Sequence, residues 1–67
     1  MIDLMIRVSE GNPGAATVLK KISQLYDGHY LISKLEENGT TGTLIWVKYR
    51  DKFDSDIEKM IEWLRLI

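Results

Sequence analysis

A chain of 67 residues with no cysteine, one histidine and a 45% hydrophobic fraction has the composition of a single folded domain, and it excludes a disulfide framework, a thiolate metal centre and most zinc constellations. Nine basic against ten acidic side chains leave a formal net charge of -1, so the chain as a whole attracts neither a nucleic-acid backbone nor an anionic membrane. A domain this short buries only about 60% of the surface its unfolded chain exposes, and with disulfides and metals excluded the remaining common source of extra stability is homo-oligomerisation.

The first segment places Ile2, Met5, Ile6 and Ser9 on one face of a short helix ending at Gly11, although the run Met1–Val8 also reads as a strand. Asp3 and Arg7 within that run suit neither a signal peptide nor a membrane span, and the longest uncharged stretch of the N-terminal half runs only from Gly11 to Leu19. A cytoplasmic location is therefore expected. The next helix opens at Asn12-Pro13-Gly14-Ala15, where Asn can cap and Pro, lacking an N–H, fits the first helical position. Ala15, Val18, Leu19, Ile22, Leu25 and Tyr26 follow the rhythm of a buried stripe, Lys20, Lys21 and Gln24 fall opposite, and Asp27-Gly28 is the predicted stop.

Tyr30, Leu31, Ser33, Lys34 and Leu35 predict a third helix, closed by Asn38-Gly39 with Gly39 in the left-handed conformation. The segment Thr43–Tyr49 is β-branched and aromatic, but a strand there has no obvious partner, so a buried helix is the preferred reading. Ser55-Asp56-Ile57-Glu58 is a capping-box pattern, with Ile57, Met60, Ile61 and Leu64 as the buried stripe of the last helix and Trp63 on its edge. Trp63 is thereby the predicted subunit contact. The predicted fold is mainly α, one domain over 1–67 built as a compact bundle of four to five short helices. The alternative is α+β, with a small two-stranded sheet from residues 1–8 and 43–50.

Four features bear on chemistry. The Gly11–Ala15 turn resembles an anion site, because the first backbone N–H groups of a helix point outward and small residues allow close approach. It matches neither a P-loop nor a dinucleotide fingerprint, and a well-capped tight turn between two helices is the plainer explanation. Trp46, Tyr49 and Arg50, with Lys48 between, interleave aromatic and basic side chains as stacking on a base beside a phosphate requires, against the plainer reading of core packing. His29 has no nucleophile beside it. Asp51, Asp54, Asp56 and Glu58 lack the calcium-loop pattern, and helix capping accounts for them, so neither a metal nor any cofactor is expected. No catalytic triad or carboxylate pair can be assembled, and an enzyme is not expected.

The runs Gly-Asn-Pro-Gly-Ala-Ala-Thr-Val-Leu at 11–19, Leu-Glu-Glu-Asn-Gly at 35–39 and Gly-Thr-Leu-Ile-Trp-Val-Lys-Tyr-Arg-Asp at 42–51 resemble small uncharacterised phage and prophage proteins of low-GC and gut bacteria. The resemblance implies a protein of the host bacterial cytoplasm that acts on host machinery by binding, as do phage proteins that sequester the nucleotide signals of anti-phage defence. The expectation is a homo-oligomer that captures a small anionic, nucleotide-type ligand between subunits. Asn12, Gly14 and Ala15 would offer backbone donors, Trp46 or Tyr49 a stacking face, and Arg50 or a neighbour's Lys21 the counter-charge. The alternative is a protein-interaction module that docks on a host protein through the Trp63 edge. A helix-turn-helix DNA binder would need a basic recognition face, which the sequence lacks.

Overall fold

The computed structural model describes all residues, 1–67, as five α-helices and one π turn: α1 (Ile2–Ser9), α2 (Pro13–Ser23), α3 (Gly28–Glu37), α4 (Thr43–Val47), the π turn (Lys48–Lys52) and α5 (Ile57–Leu66). The chain is mainly α, as predicted, and no strand forms at 1–8 or 43–50. Ile45, Tyr49 and Phe53 are buried at intervals of four while Leu44 and Val47 remain outside, a helical rather than an alternating pattern. The β-branched residues of this segment thus obtain their apolar partner from a helix face instead of a second strand.

The longest helix, α2, packs against α1, α3, α4 and α5 and so forms the centre of the bundle. Its start is fixed as the sequence predicts, with Asn12 in extended conformation accepting the Ala15 N–H at 3.0 Å through Oδ1 and Pro13 at the first helical position. Val18, Leu19 and Ile22 are almost wholly enclosed, and they join Leu31, Ile32 and Leu35 of α3 and Met60 and Leu64 of α5 in one continuous core. Each such aliphatic side chain contributes about 1.5–3 kcal/mol through removal from water.

Three local expectations are corrected. Helix α2 ends at Ser23, so Leu25 is only partly buried and Tyr26 is fully exposed. Gly28 does not stop α2 but opens α3, because the two backbones approach so closely there that a Cβ would lie 2.4 Å from the Ile22 carbonyl oxygen. The cap of α5 lies one residue later than the capping-box pattern implies. Asp56 accepts the Glu58 N–H at 3.0 Å, and Ser55 takes a left-handed conformation at φ 58 beside Asp54 at φ 51. Gly39 is left-handed as expected, at φ 75.

The fourth departure concerns α1. Leu4 and Val8 turn inward together with Ser9, Met5 is partly buried against the core, and Ile2 and Ile6 are directed outward. The apolar side of α1, opposite Asp3 and Arg7, is wider than the strip the core covers, so Leu4 and Val8 at one edge are enclosed while Ile2 and Ile6 at the other are not. The roll is set by tertiary contacts: Gly42 donates its N–H to the Val8 carbonyl at 2.6 Å, and Arg7 reaches Glu36 of α3 at 3.0 Å. Gly42 sits at φ 51 and ψ -122, a conformation that residues with a Cβ rarely adopt, so the joint between α1 and α4 requires glycine. No helix is long and apolar enough to cross a membrane.

Candidate functional site

Helices α2 and α4 bring several of the sequence-selected residues to one place. Gly14 lies flat against the Trp46 indole, so closely that a Cβ at position 14 would stand 2.5 Å from the ring. The Trp46 and Tyr49 ring centroids are 6.1 Å apart, tilted by 34°, and Lys21 extends from α2 to place its Nζ 3.5 Å from the Tyr49 hydroxyl. Gly14, Lys21, Trp46 and Tyr49 therefore form a real cluster, stitched across the α2–α4 seam.

Its chemistry differs in part from the sequence expectation. Tyr49 is only 7% exposed and Ala15 is wholly buried, so both serve the core and neither offers a free surface to a ligand. One face of Trp46 is occupied by Gly14. In the first turn of α2, Pro13 has no N–H, Ala15 donates to the Asn12 side chain, and Asn12 donates to the Ser9 carbonyl at 3.0 Å. The Gly14 amide is then the one donor of the expected three left without a partner. Arg50 extends into solvent and forms a fork on Asp51, with contacts of 2.8 and 3.2 Å. That pairing raises the Arg50 pKa and holds the Asp51 carboxyl below the usual carboxylate range, so each group's charge is already answered by the other.

Trp63 lies at the edge of the α5 stripe, as read from the sequence, but much of its surface is used within the chain. It packs against Phe53 at 5.8 Å between centroids, and the Lys48 ammonium stands 4.7 Å from its ring centre. Lys52 lies 6.0 Å from the Phe53 ring. This lysine–aromatic group was not among the sequence-selected sites; the signal for it was the spacing of four between Lys48 and Lys52 with Phe53 adjoining. No three His, Cys, Asp or Glu side chains come close enough to hold a metal ion.

The molecule has two concavities. One of about 180 Å³ is lined by Lys34, Glu37, Asn38 and Ile67. The other, of about 170 Å³, is lined by Ile2, Met5, Ile6, Ser9 and Ala16 and is almost entirely apolar. Both fall short of the roughly 300–1,000 Å³ typical of pockets that enclose a small organic ligand. No family model, no curated protein and no solved structure matches this chain.

Proposed function

We propose that this chain is a non-enzymatic binding protein that works as a homo-oligomer and captures a small anionic, nucleotide-type ligand between its copies. The observation that carries the reading is the outward face of α1, where Ile2 is 73% and Ile6 63% exposed and Met5, Ser9 and Ala16 continue the apolar surface into a groove. An apolar stripe at helical spacing on a domain of this size is costly to leave in water and favours a covering partner.

A second copy fits this face in charge as well as in hydrophobicity. An antiparallel, two-fold pairing of α1 helices around Met5 and Ile6 brings Asp3 of one copy opposite Arg7 of the other. Asp3 has no ion-pair partner in its own chain, whereas Arg7 uses Nε and Nη2 on Glu36 and keeps Nη1 available. The concavities of one copy are too small for a nucleotide, so the ligand lies in a site completed by association. Ala16 lines the apolar groove, so the start of α2 adjoins the seam. The Gly14 amide, the exposed edge of Trp46 and a neighbour's Lys21 supply polar and stacking contacts there. In the phage setting that the sequence resemblance implies, such capture removes a nucleotide signal from the host.

Sedimentation at tens of micromolar tests the assembly: the wild-type chain runs as a dimer or larger, and Ile6→Asp runs as a monomer with its helical spectrum retained. A monomeric wild type overturns the assembly and transfers the α1 face to the alternative role, docking on a host protein. Thermal unfolding against a panel of linear and cyclic nucleotides tests the ligand. A ligand at about 100 times its Kd adds roughly 2.7 kcal/mol, a shift of about ten degrees or more in a domain this small. A flat panel overturns the nucleotide reading.

A further inference from the structure

The π turn presents an arrangement that the fold itself does not require. Its wider turn is closed by the Phe53 N–H donating to the Lys48 carbonyl at 3.1 Å, and positions 48 and 52, four apart, lie on the same side of it. Single π turns persist at a cost in backbone geometry and concentrate at functional sites. Directly after this one come Asp54 and Ser55, two consecutive non-glycine residues in the left-handed region.

The side chains of the turn are organised around an uncompensated charge. The Lys48 ammonium is held 4.7 Å from the Trp63 ring centre, and Trp63 in turn is braced by Phe53. Lys52, four residues on and on the same side, has its Nζ 6.0 Å from the Phe53 ring centre. Burial first, and then the neighbouring Lys52 charge, draw the Lys48 pKa below the ordinary lysine range, and no carboxylate contributes to offset them. Neither lysine takes part in an ion pair, although the adjoining charged residues do: Arg50 holds Asp51, and Lys59 reaches Asp54 at 3.8 Å. A flexible lysine ordinarily swings away from a like charge. Here the contact with Trp63 holds Lys48 beside Lys52 instead.

We propose that Lys48 and Lys52, set on the Phe53–Trp63 platform, form a binding site for a phosphoanion, specifically a phosphate or pyrophosphate group of a small ligand. Two adjacent ammonium groups with six N–H donors between them match the several oxygens and multiple negative charge of such a group. Cation and anion neutralise one another, and the repulsion that burdens the free protein becomes attraction for the ligand. The proposal rests on the reading that the ligand is anionic. It places that anion at the π turn rather than at the start of α2, and it does not depend on association through α1.

The experiment is calorimetric titration of pyrophosphate into the full chain at low ionic strength, with sedimentation run in parallel. Saturable binding is expected, weakening as salt is raised. Lys48→Met keeps an apolar stem against Trp63 while removing the charge, and Lys52→Gln removes the second; each is expected to weaken binding at least tenfold. Lys20→Gln, an exposed lysine of α2, leaves it unchanged. Lys52→Gln relieves the like-charge contact, so its Tm is no lower than that of the wild type, which separates lost binding from lost folding. With Trp46→Phe making Trp63 the sole tryptophan, pyrophosphate shifts the Trp63 emission, and adding Lys48→Met abolishes the shift. Absence of saturable pyrophosphate binding, or wild-type affinity in Lys48→Met and Lys52→Gln, overturns the site. A fall in affinity for Lys20→Gln as large as for the other two reduces it to diffuse surface charge and also overturns it. An unchanged oligomer in the parallel run shows that such a failure belongs to the π turn and leaves the α1 association standing.

Discussion

Helices α2 and α3 and the segment from Gly42 to Asp56 reach the same core by different means. The two helices bury Val18, Leu19, Ile22, Leu31, Ile32 and Leu35 at regular helical spacing, with Asn12 capping the start of α2 and left-handed Gly39 following the end of α3. The later segment also buries Ile45, Tyr49 and Phe53, yet it does so through a glycine with positive φ, a π turn and two left-handed non-glycine residues. Away from the junction between them, the first region is locally consistent, in that propensity and burial agree. The second trades local comfort for side-chain placement. In small proteins such departures concentrate where binding is carried out.

The largest test of this contrast falls in the regular region. Leu31→Ala removes a wholly enclosed side chain between α2 and α3 and is expected to cost about 2–5 kcal/mol. In a domain of this size that approaches the whole stability, and urea denaturation with circular dichroism reads the loss directly. In the irregular region the sensitive backbone position is Gly42. Gly42→Ala forces an L-residue to φ 51 and ψ -122 and drives its Cβ toward Glu10, at an expected cost of about 1–3 kcal/mol in the same denaturation assay.

Smaller effects sharpen the boundary between the regions. Asp56→Ala removes the side-chain cap of α5 and is expected to lose about 1 kcal/mol, whereas Ser55→Gly relaxes a left-handed residue and gains up to about 1 kcal/mol. A capping box based on Ser55 predicts the opposite order, so paired melting curves of the two variants distinguish the arrangements. The smallest effect is electrostatic. The hydrogen bond from Arg65 holds the Asp27 carboxyl below its ordinary value of 3.8. A carboxylate of depressed pKa contributes its stability fully above the unfolded value and loses it as pH falls through the lower folded value. Between pH 5 and pH 2 the Tm of wild type is therefore expected to fall more than that of Asp27→Asn, by an amount limited by solvent screening at this exposed pair.

The candidate site was legible in the sequence only in part. The association of Gly14 with Trp46 follows from residues that the sequence singles out for other reasons, a small residue at a helix start and a large amphipathic ring. Ala15 and Tyr49 are enclosed within the chain and the Ala15 N–H is taken by Asn12, which their places on their helices do not reveal, because helix position says nothing about which neighbour covers a residue. The lysine pair was obscured for a related reason. Four-residue spacing of like charges on a surface helix ordinarily signals two solvated side chains, and only the packing of Lys48 on Trp63 makes the pair a constrained one.

Composition and local pattern by themselves determined that the chain is mainly helical, that α2 begins at a capped Asn12-Pro13 and that α3 closes at Asn38-Gly39, while they left residues 43–50 open between helix and strand. Those features rest on interactions within one or two turns, which neighbouring residues specify. Tertiary structure alone decided the roll of α1, the early end of α2 at Ser23, the shift of the last cap to Asp56, and the meeting of Lys48, Lys52, Phe53 and Trp63. Each of these depends on contacts between residues distant in sequence or on backbone strain that only surrounding packing sustains, and neither is written in the periodicity of a single segment.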